Sequence, residues 1–149
     1  MKLASDASAL VAEALRARGR RLISHHHLNL YVAPPTWSET VHEIGRRLDA
    51  MVRHGQVNAL RRDLVFAEAT VLLSERVTVV PEPEYVGYEA EACDRIPRDP
   101  NDWPTVALAL SLGCGIWAND HDFFGCGVPV WTTETLLTHV ATGRAALEH

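Results

Sequence analysis

Five short apolar segments without polar alternation recur along the chain, separated by helix-forming sequence, and this rhythm constrains the fold more than any other feature. The strand candidates are residues 2–5, 28–33, 77–80, 115–119 and 128–132. A strand with one face in water alternates apolar and polar side chains, whereas a strand buried on both faces does not. Strands of the second kind, separated by helices, pack as a parallel sheet covered on both sides. The expectation is therefore a three-layer α/β/α sandwich around a central, mostly parallel sheet of about five strands.

The intervening helices follow from periodicity and stop signals. A first helix is expected over about 8–18, with Gly19 ending it. Thr36, after Pro34-Pro35, opens a second, in which Trp37, Val41, Ile44, Leu48 and Met51 recur at three- and four-residue steps before Gly55. Further helices are expected over roughly 56–74 and 84–94. Asp99-Pro100 opens another that carries Val106, Ala107 and Leu110 inward and stops at Gly113, and a final one begins near Thr133.

A chain of 149 residues suits one domain, 1–149, with a sizeable core. Its 47% hydrophobic content is too high for a disordered chain. The N-terminus shows no basic-then-apolar secretory pattern. The longest apolar region, 103–118, is broken by Thr105, Ser111, Gly113 and Gly115. It falls short of the roughly 20 apolar residues a bilayer span needs, so it reads as a buried helix plus a buried strand. A cytoplasmic protein with no membrane partner is expected. Cys93, Cys114 and Cys126 are odd in number and form no C-x-x-C pair, which argues against a disulfide framework or thiolate zinc site and for small core side chains.

The net charge of −5 opposes a uniformly basic, nucleic-acid-gripping surface. The positive charge is nonetheless clustered. Arg16, Arg18, Arg20 and Arg21 form one run, and Arg46, Arg47, Arg53, Arg61 and Arg62 thicken the next stretch. Such runs are either solvated faces or phosphate contacts beside an acidic centre.

Four acids share one property of placement. Asp6 follows the first strand, Glu39 lies in the first turn after the second, Asp120 follows a later strand, and Asp102 sits in the first turn of a helix. Open parallel sheets bind ligands beyond the carboxyl ends of their strands, so these acids would meet on one edge. Converging carboxylates suit a hard cation, Mg²⁺ or Mn²⁺. Each also has a local alternative. Thr36-Trp37-Ser38-Glu39 is a capping-box pattern. Asp99 fits an N-cap before Pro100, with Asp102 favouring the helix dipole. Asp6 fits a cap, and Asp120 and Asp122 fit turn positions.

The opening Asp6-Ala7-Ser8, the Trp37-Ser38-Glu39 segment, and the stretches Arg98-Asp99-Pro100-Asn101-Asp102-Trp103 and Ile116-Trp117-Ala118-Asn119-Asp120-His121-Asp122 together resemble PIN-domain nucleases. Order and approximate spacing match over nearly the whole chain. The resemblance implies a metal-dependent endoribonuclease hydrolysing phosphodiester bonds of single-stranded RNA, with one or two Mg²⁺ or Mn²⁺ ions. Asp6, Glu39, Asp102 and Asp120 would be the catalytic and metal-binding set, with Asp99 and Asp122 as further ligand candidates and Ser8 and Asn119 in support. Many such proteins are VapC-type toxins, so an antitoxin protein and a homodimer are expected partners. One departure stands out: the family commonly has Thr or Ser two residues before the final acid, and this chain has Ala118.

Two other readings bear on function. A catalytically silent PIN-type RNA-binding or protein-interaction module is the principal alternative. A phosphatase of another α/β fold would need a second Asp two residues after the first, where Ser8 stands. The internal His25-His26-His27 run invites a metal site, but adjacent side chains point in different directions, which makes shared ligation awkward, so it is read as a surface element feeding the second strand.

Overall fold

The computed structural model describes residues 1–147, and side chains through residue 143. The chain runs β1 (Lys2–Ser5), α1 (Ala7–Ala14), α2 (Ala17–Ile23), β2 (Asn29–Val32), α3 (Pro34–Arg53), α4 (Ala59–Arg76) and β3 (Val77–Val79). It continues through α5 (Glu89–Arg95), α6 (Trp103–Leu112), β4 (Gly115–Trp117), β5 (Val130–Trp131) and α7 (Thr133–Leu147). Short 3₁₀ turns precede α5 and α6 and follow β4.

All five strands pair in parallel in the order β3-β2-β1-β4-β5. Parallel pairing puts every strand's carboxyl end on the same edge, and the order reverses at central β1. The side-chain period of two explains the layers. Leu3, Leu30, Val32 and Trp117 enter one apolar cluster with Leu10, Ile44, Leu48, Leu73 and Leu136, so α1, α3, α4 and α7 cover that face. Ala4, Ile116 and Ala118 enter the other with Ala92, Val106 and Leu108, under α5 and α6. The α/β/α sandwich expected from the sequence is the observed fold. Leu3 and Trp117 are wholly buried in paired strands. Each fully buried side chain of this size contributes about 1.5–3 kcal/mol, which makes the β1–β4 seam a firm base for the loops above it.

Several boundaries differ from expectation for identifiable reasons. Gly19 does not stop the first helix. The helix ends at Ala14, and Gly19 lies buried inside α2. A Cβ there would collide with the backbone oxygen of Glu13, so this glycine permits close approach of α2 to the end of α1. The second helix begins at Pro34, not Thr36, because the prolines occupy its first turn, where no N–H partner is lost. The next starts at Ala59, where the Asn58 side chain caps the Arg61 amide at 2.8 Å. Residues 82–88 form 3₁₀ turns, and α5 is confined to Glu89–Arg95. Asp99 opens a 3₁₀ turn, not the α-helix itself, which starts at Trp103. Gly113 ends α6 as expected, and does so in the left-handed conformation. Among the described residues, no helix is long and apolar enough to cross a membrane.

Candidate metal centre

Asp6 follows the last residue of β1 and caps α1. Its Oδ2 accepts from the Ser8 amide at 3.1 Å and from the Ser8 hydroxyl at 2.6 Å. The Ser8 hydroxyl also accepts from the Asn119 amide at 3.2 Å, tying the ends of β1 and β4 together. Asp120 lies just beyond β4 and accepts from the Asp122 amide at 3.0 Å. Capping and site membership are thus compatible for Asp6 and Asp120, because each cap uses one oxygen of a two-oxygen acceptor.

Glu39 has no cap to make. Thr36, the would-be capping residue, is the third residue of α3 and is buried, its hydroxyl 3.5 Å from that of Thr105. Glu39 stands on the sixth position of the helix with its carboxylate near the sheet edge. Asp99 and Asp102 divide the other pattern between them. Asp99 accepts from the Asn101 amide at 3.2 Å, whereas Asp102 precedes α6 and makes no capping bond.

Asp6, Glu39, Asp99, Asp102 and Asp120 line one cleft of about 260 Å³ with Ser8. Their electrostatics record the crowding. Burial pushes the Asp102 carboxyl up to about 7, and the charges of Asp6, Asp99, Asp120 and Glu39 add to the rise. Burial also raises Asp6, against the lowering effect of its Ser8 hydrogen bonds, with Asp120 adding to the rise. Glu39 is raised by burial, then by Asp6, Glu43 and Asp99.

A second grouping overlaps the first. Asp99, Asp102 and Asp122 offer oxygens that all lie within 4.8 Å of one another. Oxygen ligands about 2.1 Å from one Mg²⁺ in octahedral geometry are roughly 3 to 4.2 Å apart, so this spacing suits a hard divalent cation. The donor set is oxygen only, which also fits Mg²⁺ or Mn²⁺.

Asn119 serves the scaffold. Its Oδ1 accepts from the Thr133 amide and hydroxyl, both at 3.1 Å, and Thr133 in turn accepts from the Trp117 indole at 3.2 Å. Ala118 is wholly buried among apolar side chains, so the hydroxyl beside the acids comes from Ser8. Sequence reasoning missed Glu43, which also lines the cleft, and named Arg47 only as one of a basic run. Glu39, Glu43 and Arg47 recur every four residues on α3 and so share a face, a signal that was readable. The three histidines lie in the turn that enters β2, at the opposite end of the sheet from the acids, with ring centroids 4.1 to 5.3 Å apart.

The PIN-domain family model matches residues 5–141 of the chain. The chain belongs to the PIN-domain family. Among solved structures, the PIN-domain chain is similar to the crystal structure of PAE2754 from Pyrobaculum aerophilum. The two share 25% identity over 95% of this chain and 89% of that one, with a TM-score of 0.67. No curated protein matches it. The PIN fold is a nuclease fold, and its acidic cluster lies where the carboxyl ends of the central strands converge.

Proposed function

We propose that this PIN-domain protein is a divalent-cation-dependent endoribonuclease that hydrolyses phosphodiester bonds in single-stranded RNA, as the toxin of a toxin–antitoxin pair. The observation that carries the reading is the convergence of Asp6, Glu39, Asp102 and Asp120 in one cleft, with Asp102 raised to about 7. Carboxylates held together repel one another, and a hard cation relieves that repulsion by displacing protons.

Asp6, Asp102, Asp120 and Glu39 would hold one or two Mg²⁺ or Mn²⁺ ions, with Asp99 and Asp122 as additional ligands. The bound cation supplies an activated water and stabilises charge on the phosphate oxygens. The protein's own share is placement. Ser8 fixes the orientation of Asp6 and couples it to the β4 end, so the two central carboxylates keep their separation. Buried Thr36, its hydroxyl 3.5 Å from that of Thr105 on α6, seats the start of α3, and with it Glu39, against α6. No covalent nucleophile is required.

A protein partner completes the reading. Leu60, Leu64 and Val71 are exposed on α4, with Ala67 between them at helical spacing. A second copy laid antiparallel would set Leu60 against Val71 and Leu64 against Ala67. Arg61 would then lie beside the other copy's Glu68 twice over, an arrangement a two-fold dimer satisfies. The antitoxin rests on the family alone.

The test is incubation of purified protein with labelled single-stranded RNA in Mn²⁺ or EDTA. Cleavage in Mn²⁺ only, abolished by Asp6→Asn and by Asp102→Asn, is the expected result. Cleavage unchanged in both variants would overturn the assignment of the acids. RNA binding without cleavage would support a silent RNA-binding module, and phosphate release from small phosphomonoesters a phosphatase.

A further inference from the structure

Beside the acidic cleft lies a larger groove, about 700 Å³, lined among others by Glu13, Arg16, Arg18, Arg47, His121 and Glu134. Ser8, Arg47 and Asp120 line both cavities, so the two are continuous. Of the basic residues that crowd the sequence, this geometry selects three, Arg16 and Arg18 from the start of α2 and Arg47 from α3. Arg20, Arg21, Arg46 and Arg53 are not among its walls.

The three arginines are held differently. Glu13, on α1, has no exposed side-chain surface, and neither carboxylate oxygen makes a hydrogen bond. Its contacts are ionic, to Arg16 at 3.6 Å and Arg18 at 4.0 Å. A buried carboxylate is costly unless it is paired, so Glu13 anchors both guanidiniums on the groove side of α1. Arg16 nevertheless keeps 58% of its side-chain surface exposed. Arg18 is shared with Glu134 on the rim, at 2.9 Å. Arg47 is exposed, and among the described residues no carboxylate lies within ion-pair distance of it.

We infer that this groove takes the phosphate backbone of the strand on one side of the cleavage point, with Arg47 at the junction, Arg16 further out, and Arg18 released from Glu134 when the strand binds. The inference rests on the nuclease reading for the identity of the strand as RNA, and on the groove itself for the phosphate contacts. Groove phosphates are held through charge and carry no sequence information. The buried Glu13 makes Arg16 and Arg18 positioned contacts, unlike an arginine on a solvated face.

The experiment measures binding of a short fluorescein-labelled oligouridylate by anisotropy across a salt series in Ca²⁺, with cleavage in Mn²⁺ followed separately. Arg16→Ala and Arg47→Ala are each expected to weaken binding roughly three- to tenfold and to lower the slope of log K against log salt by about 0.7, one phosphate contact on a single strand. Glu134→Gln is expected to tighten binding by freeing Arg18. Arg21→Ala, which removes an exposed charge from the same sequence run outside the groove, is expected to leave affinity and slope unchanged. Equal losses from Arg21→Ala and Arg16→Ala, or unchanged slopes in Arg16→Ala and Arg47→Ala, would overturn the groove. A wild-type protein that binds with these slopes but never cleaves would overturn the nuclease reading and leave the groove standing.

Discussion

Asp102→Asn should make the metal-free protein more stable at alkaline pH, although it removes a residue of the site. The Asp102 carboxyl rises from an ordinary 3.8 to about 7 because of burial and four neighbouring acids. A carboxyl with a raised folded pKa is protonated in the folded state while the unfolded chain has already ionised. Its stabilising contribution is therefore complete below about pH 4 and is lost as pH rises through about 7. A rise from 3.8 to about 7 corresponds to at most about 4 kcal/mol. Asp102 is only half-buried, and solvent screening reduces this to roughly 1–2 kcal/mol. For a chain of this size that is a melting shift of roughly 3–6 °C. Thermal denaturation in EDTA, with wild type and Asp102→Asn side by side, cancels the histidine titrations common to both. The two curves should nearly coincide at about pH 4 and separate towards about pH 8, with the variant higher. Mn²⁺ should then raise the wild type and leave the variant much less changed. A variant less stable than wild type in EDTA by a pH-independent amount would contradict a raised Asp102 carboxyl. It would mean that the carboxylate serves the fold as a cap.

Three further outcomes follow from individual contacts. Gly19→Ala should destabilise the fold by about 2–4 kcal/mol, read by urea denaturation, because its Cβ meets Glu13 backbone that cannot swing aside. Ser8→Ala should lower RNA cleavage about tenfold or more with a stability loss of only about 1 kcal/mol, since it removes one of the two hydrogen bonds to the Asp6 carboxylate and the acceptor of one amide at the β4 end. Leu64→Glu, at an exposed α4 position, should convert a dimer to monomer in light scattering with little change in melting temperature. A wild type that is monomeric at high concentration would rule out the α4 pairing.

The sandwich was readable because its strands, being buried on both faces, have an apolar sequence that little else requires. Residues 2–5 and 77–80 were placed to within a residue of β1 and β3. What misled was punctuation. Gly19 looks like a helix stop, but its reason is a contact between α1 and α2 that exists only after folding. Thr36 and Glu39 spell a capping box, yet Pro34 and Pro35 pull the helix start two residues earlier and turn Thr36 inward. The acids were visible by their positions relative to strand ends. The role of Ser8 as a tie between Asp6 and Asn119 was not, because it depends on β1 and β4 being neighbours. Similarly, Arg16 and Arg47 could not be told from Arg21 until the groove set them apart.

Anomalous diffraction from a Mn²⁺-soaked crystal decides whether Asp6, Glu39, Asp102 and Asp120 hold divalent cations. One or two peaks are expected in the cleft, with oxygens of Asp6, Asp102 and Asp120 in the coordination shell and Glu39 at its edge. A peak bound only by Asp99 and Asp122, with Asp6 still engaged solely by Ser8, or no peak at saturating Mn²⁺, would contradict this assignment.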